Sequence, residues 1–160
     1  VGTLEPEHQL TMKNIKIILL SGFVSGTMDA LAAILFFTKP HSLHNISMLF
    51  RYIAKGVLGS AAFSTGLVFP IAGLILHYLI ATIWSAIYLL IAPVVFKSGH
   101  LLAKTIVFAA SIWIGMNGFI LPVFGLGSAH SNSWSVMKSF LILVVCISAP
   151  IVIITEKRKQ

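Results

Sequence analysis

Apolar and polar stretches alternate along the chain in a coarse rhythm. Four long apolar runs, 15–37, 66–92, 103–124 and 137–155, are separated by shorter polar connections. Each reaches the roughly 20 residues that a helix needs to cross the hydrocarbon of a bilayer. The pattern predicts an all-α polytopic membrane protein of four transmembrane helices, forming a single domain over 15–155. Residues 1–14 form a polar leader and 156–160 a basic tail. Met12, followed by Lys13, Asn14, Ile15 and Lys16, resembles a translation start. Ala30 and Ala32 imitate a signal-peptide cleavage site, but the apolar run continues past them to Phe37, so the segment reads as a span.

The first connection has a different period. Ile46, Leu49, Phe50, Ile53 and Val57 recur on one helical face, and His44, Ser47, Arg51 and Lys55 on another. That is the pattern of an amphipathic helix in the headgroup region, placed over about 44–63 between the first and second spans. Its continuation, KGVLGSAAFSTG, is small and weakly polar and is also compatible with a re-entrant turn. Prolines set the remaining boundaries. Pro70 sits in the first turn of the second span and Pro93 is expected to stop that helix. Pro122 and Pro150 lie near the ends of the third and fourth spans, where a kink or an early stop is tolerated. The connection 125–135, GLGSAHSNSWS, reads as a Gly/Ser-rich turn with Trp134 at the interface.

Composition removes the soluble alternatives. Only 9% of residues are charged and 58% are hydrophobic; a soluble domain carries about 25% charged residues, so no water-facing surface can be assembled here. The formal charge of +7 lies between the runs and at the end of the chain, with no basic stripe interleaved with aromatics, which excludes nucleic acid as a partner. It is a topology signal instead. Lys13, Lys16, Lys97, Lys104, Lys157, Arg158 and Lys159 fall on one side of a four-span arrangement, against Lys39, Arg51, Lys55 and Lys138 on the other. The cation-rich side is expected to be cytoplasmic, with both termini on it. Cys146 is the single cysteine and sits among Leu143, Val144 and Val145, so it reads as a small apolar residue.

Against this background three polar residues stand out. Asp29, His77 and Asn117 lie on three different spans, at expected depths of about 12, 16 and 10 Å from the same outer surface at 1.5 Å per residue. Beside them run rows of small residues, Gly22 and Gly26, Gly73 and Ala81, Gly115 and Gly118, the surfaces on which helices approach closely in membranes. Two readings stay open. In one, Asp29 bears charge, His77 titrates against it and Asn117 orients them, making a proton or cation site. In the other, the three form an interhelical clamp worth about 1 to 2 kcal/mol.

Other chemistry has less behind it. His41 and His44, in H-x-x-H spacing, and His130 on the same outer side are weak candidates for a metal. His77 has no second axial ligand at its depth, so no haem is expected, and no other cofactor is implied. There is no H-E-x-x-H, no G-x-S-x-G, no pair of catalytic carboxylates and no phosphate-cradling loop, so no enzyme is expected. Trp84, Tyr88 and Trp113 read as packing or lipid-facing aromatics.

GTMDALAAILFF in the first span, GLILHYLIATIWSAIYLLIAP in the second and MNGFILPV in the third resemble the small multi-span, uncharacterised bacterial inner-membrane proteins of the YagU-like sort. The resemblance implies an inner-membrane location and carries over no catalytic residue. The function expected is that of a non-enzymatic accessory or self-assembling subunit, with the bilayer and copies of itself or a larger complex as partners. A small proton, cation or solute transporter or channel using Asp29 and His77 is the alternative, and a metal-binding membrane protein the second.

Overall fold

The computed structural model describes residues 5–38, 41–96, 99–126 and 133–159, and among them the fold is all-α. The first helix, α1 (Glu5–Phe37), starts well before the expected boundary, so much of the polar leader is helical. Pro6 stands in its first turn, where a missing N–H leaves no carbonyl unbonded. Next come α2 (Leu43–Leu58), a 3₁₀ turn Gly59–Phe63, and α3 (Val68–Val95). The third rod is α4 (Leu101–Gly115), which continues through a π-helical turn, Met116–Ile120, into the short α5 (Leu121–Val123). The last is α6 (Ser133–Ile142), a π-helical stretch Leu143–Ser148, and α7 (Ala149–Lys159).

One expectation about prolines is corrected. Pro93 does not stop α3, which runs on to Val95 before Phe96 closes it on the Ala92 carbonyl. In the last turn the bond that proline withholds is cheap. Pro122 stands one residue before its rod ends at Val123, and α7 continues through Pro150. In each case the preceding residue reaches back five positions, Leu121 N–H to the Met116 carbonyl and Ala149 N–H to the Val144 carbonyl. The wider π turn makes room for a ring that would collide with the carbonyl four residues back in a regular helix.

The count of membrane-compatible helices also differs from expectation. Met12–Phe37, Val68–Val95, Leu101–Val123 and Ser133–Lys157 are long and apolar enough to cross a bilayer, and so is Leu43–Phe63, the segment set apart as interfacial. Its two cations are diluted by apolar neighbours. By length and composition five helices qualify among the described residues, where the pattern of runs counted four.

The four outer rods pack as a ring: α1 against α3 and against the last rod, and the last rod against α4. Trp84 and Tyr88 of α3 meet Phe108 of α4 edge-on and tilted, closing the circle. Contacts between α1 and α3 run antiparallel, from Ser21 beside Ser85, through Gly22 against Thr82, to Asp29 near His77. Continued at 1.5 Å per residue, this register sets Phe37, about 12 Å beyond Asp29, level with Val68, about 14 Å before His77. The end of α1 and the start of α3 therefore share one end of the bundle, here the loop end. The start of α1 and the end of α3 share the other, the amino end.

Helix α2 lies against α3 at the loop end. Near its start Asn45, Met48 and Leu49 share a cleft of about 320 Å³ with Phe37 at the end of α1 and Thr38 just after it. Phe50 packs on Gly73 of α3, and Gly56 faces Phe124 and Leu126 beyond α5. So α2 crosses α3 from the α1 side of the ring to the α4 side. Ser42 caps it, its hydroxyl accepting from the Asn45 N–H. Phe50 and Ala54, one turn apart, are its buried residues.

Candidate functional site

A seam of polar contacts joins α1 to α3, and its hydrogen bonds have directions. Ser21 donates its only hydroxyl proton to the Ile17 carbonyl at 2.7 Å, so the buried Ser85 hydroxyl donates to Ser21. Farther along, Thr27 donates to the Phe23 carbonyl at 2.8 Å, and the Tyr78 hydroxyl donates to Thr27 at 3.0 Å. The Tyr78 ring stacks on Phe23, with centroids 5.6 Å apart. Between these contacts lie Gly22 against Thr82 and Gly26 against Tyr78 and Ala81, where added Cβ atoms would crowd the facing helix.

Asp29 and His77 meet at the loop-end side of this seam. His77 Nε2 stands 2.9 Å from the Gly26 carbonyl and 3.9 Å from Asp29 Oδ2. A carbonyl only accepts, so the imidazole carries a proton on Nε2 and gives it to Gly26. The Asp29 contact is too long for a hydrogen bond and has the spacing of an ion pair that forms only if the ring is protonated. The same N–H thus has two acceptors within reach, one neutral and one anionic. The side chains are mostly covered, 13% exposed for His77 and 22% for Asp29. Phe50 of α2 and Tyr78 both stand edge-on to the imidazole, at 6.4 and 5.8 Å between centroids.

Asn117 bonds to neither. Its amide donates to the Trp113 carbonyl one turn back at 3.0 Å, inside its own helix. Among the described residues its Oδ1 and the indole Nε1–H of Trp113 are buried without a partner. Depth along a helix groups Asn117 with Asp29 and His77 in the sequence, whereas rotation about the helix axis decides what it touches. Of the small residues, Gly115 lies against Trp84, Ala81 is buried between α1 and α3, and Gly118 faces open space. His41 and His44 are both exposed at the start of α2, His41 ahead of the cap and His44 in the first turn, while His130 lies outside the described residues. Among the described residues no three His, Cys, Asp or Glu side chains converge as metal ligands.

Two further polar arrangements escape a reading of the sequence. Arg51, expected on the headgroup-facing side of α2, turns back to residues 62–66. Nη1 donates to the carbonyls of Ala62, at 3.0 Å, and Ser64, Nη2 to Gly66 at 2.6 Å, and Nε to Ser47 Oγ at 3.2 Å. The guanidinium also lies 5.7 Å over the Phe69 ring. At the amino end, Lys104 Nζ is 2.6 Å from Glu156 Oε2, and the Tyr88 hydroxyl donates to Oε1 at 3.3 Å. The available signal is isolation: Glu156 is the only acid after Asp29 and lies at a helix end amid cations. Its position groups it with the basic tail, but α7 continues through it.

No protein-family model matches this chain, and no curated protein or solved structure does.

Proposed function

We propose that this is a non-enzymatic integral membrane protein, an accessory or self-assembling subunit in which the Asp29 and His77 region clamps α1 to α3. The observation that carries this reading is the hydrogen bond from His77 Nε2 to the Gly26 carbonyl. The imidazole gives its proton to a backbone acceptor on the facing helix, in line with the Ser85 to Ser21 and Tyr78 to Thr27 bonds, as a clamp would. The alternative of a proton or cation site is favoured by one distance, the 3.9 Å to Asp29 Oδ2, which sets an anionic acceptor beside the one in use.

The proposed topology has four crossings. Leu43–Phe63 leaves from the end of α1 and returns to the start of α3, which the α1 and α3 register sets at the same level, so it enters and leaves by one surface. Its strong amphipathicity and its course across α3 fit a helix seated in that surface. The cation count then puts the amino end and both termini in the cytoplasm, and the resemblance to YagU-like proteins adds the bacterial inner membrane.

The test is flux through purified protein in liposomes, read with an interior pH dye and with cation-selective dyes. The clamp reading expects wild type and Asp29→Asn to leak no faster than empty liposomes. Flux in the wild type that Asp29→Asn abolishes would replace it with the transport reading.

A further inference from the structure

We infer that α2 is a hinged lid over the Asp29 and His77 pair, latched by Arg51, and that water and small cations reach the pair from the loop end only when the latch opens. This holds whether the pair clamps or conducts, because it concerns access alone.

The position of α2 makes it a cover. His77 lies about 14 Å from the loop end of α3. Phe50 sits on Gly73, between that end and His77, with its ring edge against the imidazole. Ala54 continues the seal at 0% exposure, and Gly56 closes on Phe124 and Leu126 at the far side of the ring. A path from the loop-end surface to His77 along this face of α3 is filled by α2 itself.

Its attachments make it a lid that can move. Beyond the Phe50 and Ala54 strip, α2 is half-buried or exposed, with Leu43 and Val57 open. The chain downstream carries Gly59 at φ 58° and Gly66 at φ 119°, and among the described residues neither has a heavy atom within 4 Å of where a Cβ would stand. Two glycines in the left-handed region with free space around them are joints at either end of 59–66. The guanidinium of Arg51 holds that segment folded, through its bonds to the carbonyls of Ala62, Ser64 and Gly66. This fork ties α2 to the segment by charge-assisted bonds, so its release frees α2 to swing on the two glycines.

A water-soluble carbodiimide, with glycine ethyl ester as the trapping amine, reads access directly. The full-length protein in nanodiscs is labelled, and amide formation at Asp29 is measured by mass spectrometry relative to that at Glu156, counted both as the glycine ester amide and as the cross-link to Lys104, whose amine lies 2.6 Å away at the opposite end of the bundle. Wild type should label Asp29 far more slowly than Glu156. Arg51→Gln removes the fork and should raise the Asp29 to Glu156 ratio about tenfold or more, the scale of losing one or two charge-assisted hydrogen bonds. Phe50→Ala, which removes the ring over His77 and leaves the latch, should raise it as well. A ratio unchanged from wild type in both variants overturns the lid. So does a wild-type Asp29 that labels as fast as Glu156.

Discussion

The two ends of the bundle are held by different means. At the amino end, Tyr88, Ala92, Phe96, Phe108, Ile112, Ile151 and Val152 form one buried cluster across three rods. The charged pair beside it, Lys104 with Glu156, is short and has a third partner in Tyr88. At the loop end helices meet on small residues, and side chains of α3 bond to a backbone carbonyl and a hydroxyl of α1. The Asp29 carboxylate has no hydrogen bond among the described residues, and the cover is a separate helix. Large side chains interdigitating make an end rigid. Close backbone approach makes an end exact in geometry but intolerant of added volume, and it leaves polar groups free to change partner.

That contrast breaks most visibly at glycine. A Cβ on Gly73 would overlap the Phe50 carbonyl, a backbone atom that cannot rotate away. Gly73→Ala is therefore expected to lift α2 and to cost about 3 kcal/mol, the upper range for overpacking. Among the described residues Gly118 meets nothing within 4 Å, so Gly118→Ala should be neutral or stabilising by up to about 1 kcal/mol through helix propensity. Unfolding titrated with SDS in mixed micelles measures both. Equal losses at the two glycines would show that α2 does not rest on Gly73.

The same distinction governs how far the sequence foretells this fold. Helix class, the four long runs and the amphipathic face of α2 are periodicities, which composition and spacing record directly. Gly73 and Ala81 are legible as a packing row because small residues spaced by whole turns share a face. That Gly73 meets α2 while Ala81 lies between α1 and α3 is not, since the row does not name its partner. Asp29 and His77 are legible as a pair by depth alone. Asn117 fails by the same criterion, because depth is one coordinate and contact needs the angle around the helix too. Arg51 goes to the headgroups if only its place on the polar face is considered. A turn that brings three carbonyls within reach has no signature in hydropathy.

A middle-sized effect should separate the ends by charge. Lys104 is 11% exposed and Glu156 23%, so removing the acid leaves an ammonium largely covered and unpaired. Glu156→Ala is expected to destabilise by about 1 to 3 kcal/mol, below the full cost of breaking a buried pair because water reaches this end. Lys104→Met with Glu156→Gln should recover most of the loss, since neither remaining group is then an isolated charge. Asp29→Asn at the other end should change stability by less than about 1 kcal/mol, because asparagine removes a carboxylate that makes no hydrogen bond. The same micelle titration decides the order, and a larger loss at Asp29 than at Glu156 would mean that the ion-pair geometry at His77 holds the loop end together.

The smallest effect is the sharpest, because its sign is at stake. Asn117 Oδ1 and Trp113 Nε1 are buried without partners among the described residues, one turn apart on a rod widened into a π turn ahead of Pro122. A buried polar atom left unbonded carries its full desolvation penalty, so replacing it with an apolar group of similar size removes a cost and breaks only the Asn117 amide bond to its own helix. Asn117→Leu is accordingly expected to be neutral or stabilising by up to about 1 kcal/mol. Trp113→Phe should do the same more weakly, losing ring area along with the orphaned donor. Ser85→Ala makes the contrast: its hydroxyl is fully used across the α1 and α3 seam, and its loss should destabilise by about 0.6 kcal/mol. If Asn117→Leu instead destabilises by more than Ser85→Ala, Asn117 has a partner in the membrane. An orienting role beside Asp29 and His77 would then have to be sought in a second arrangement of the helices.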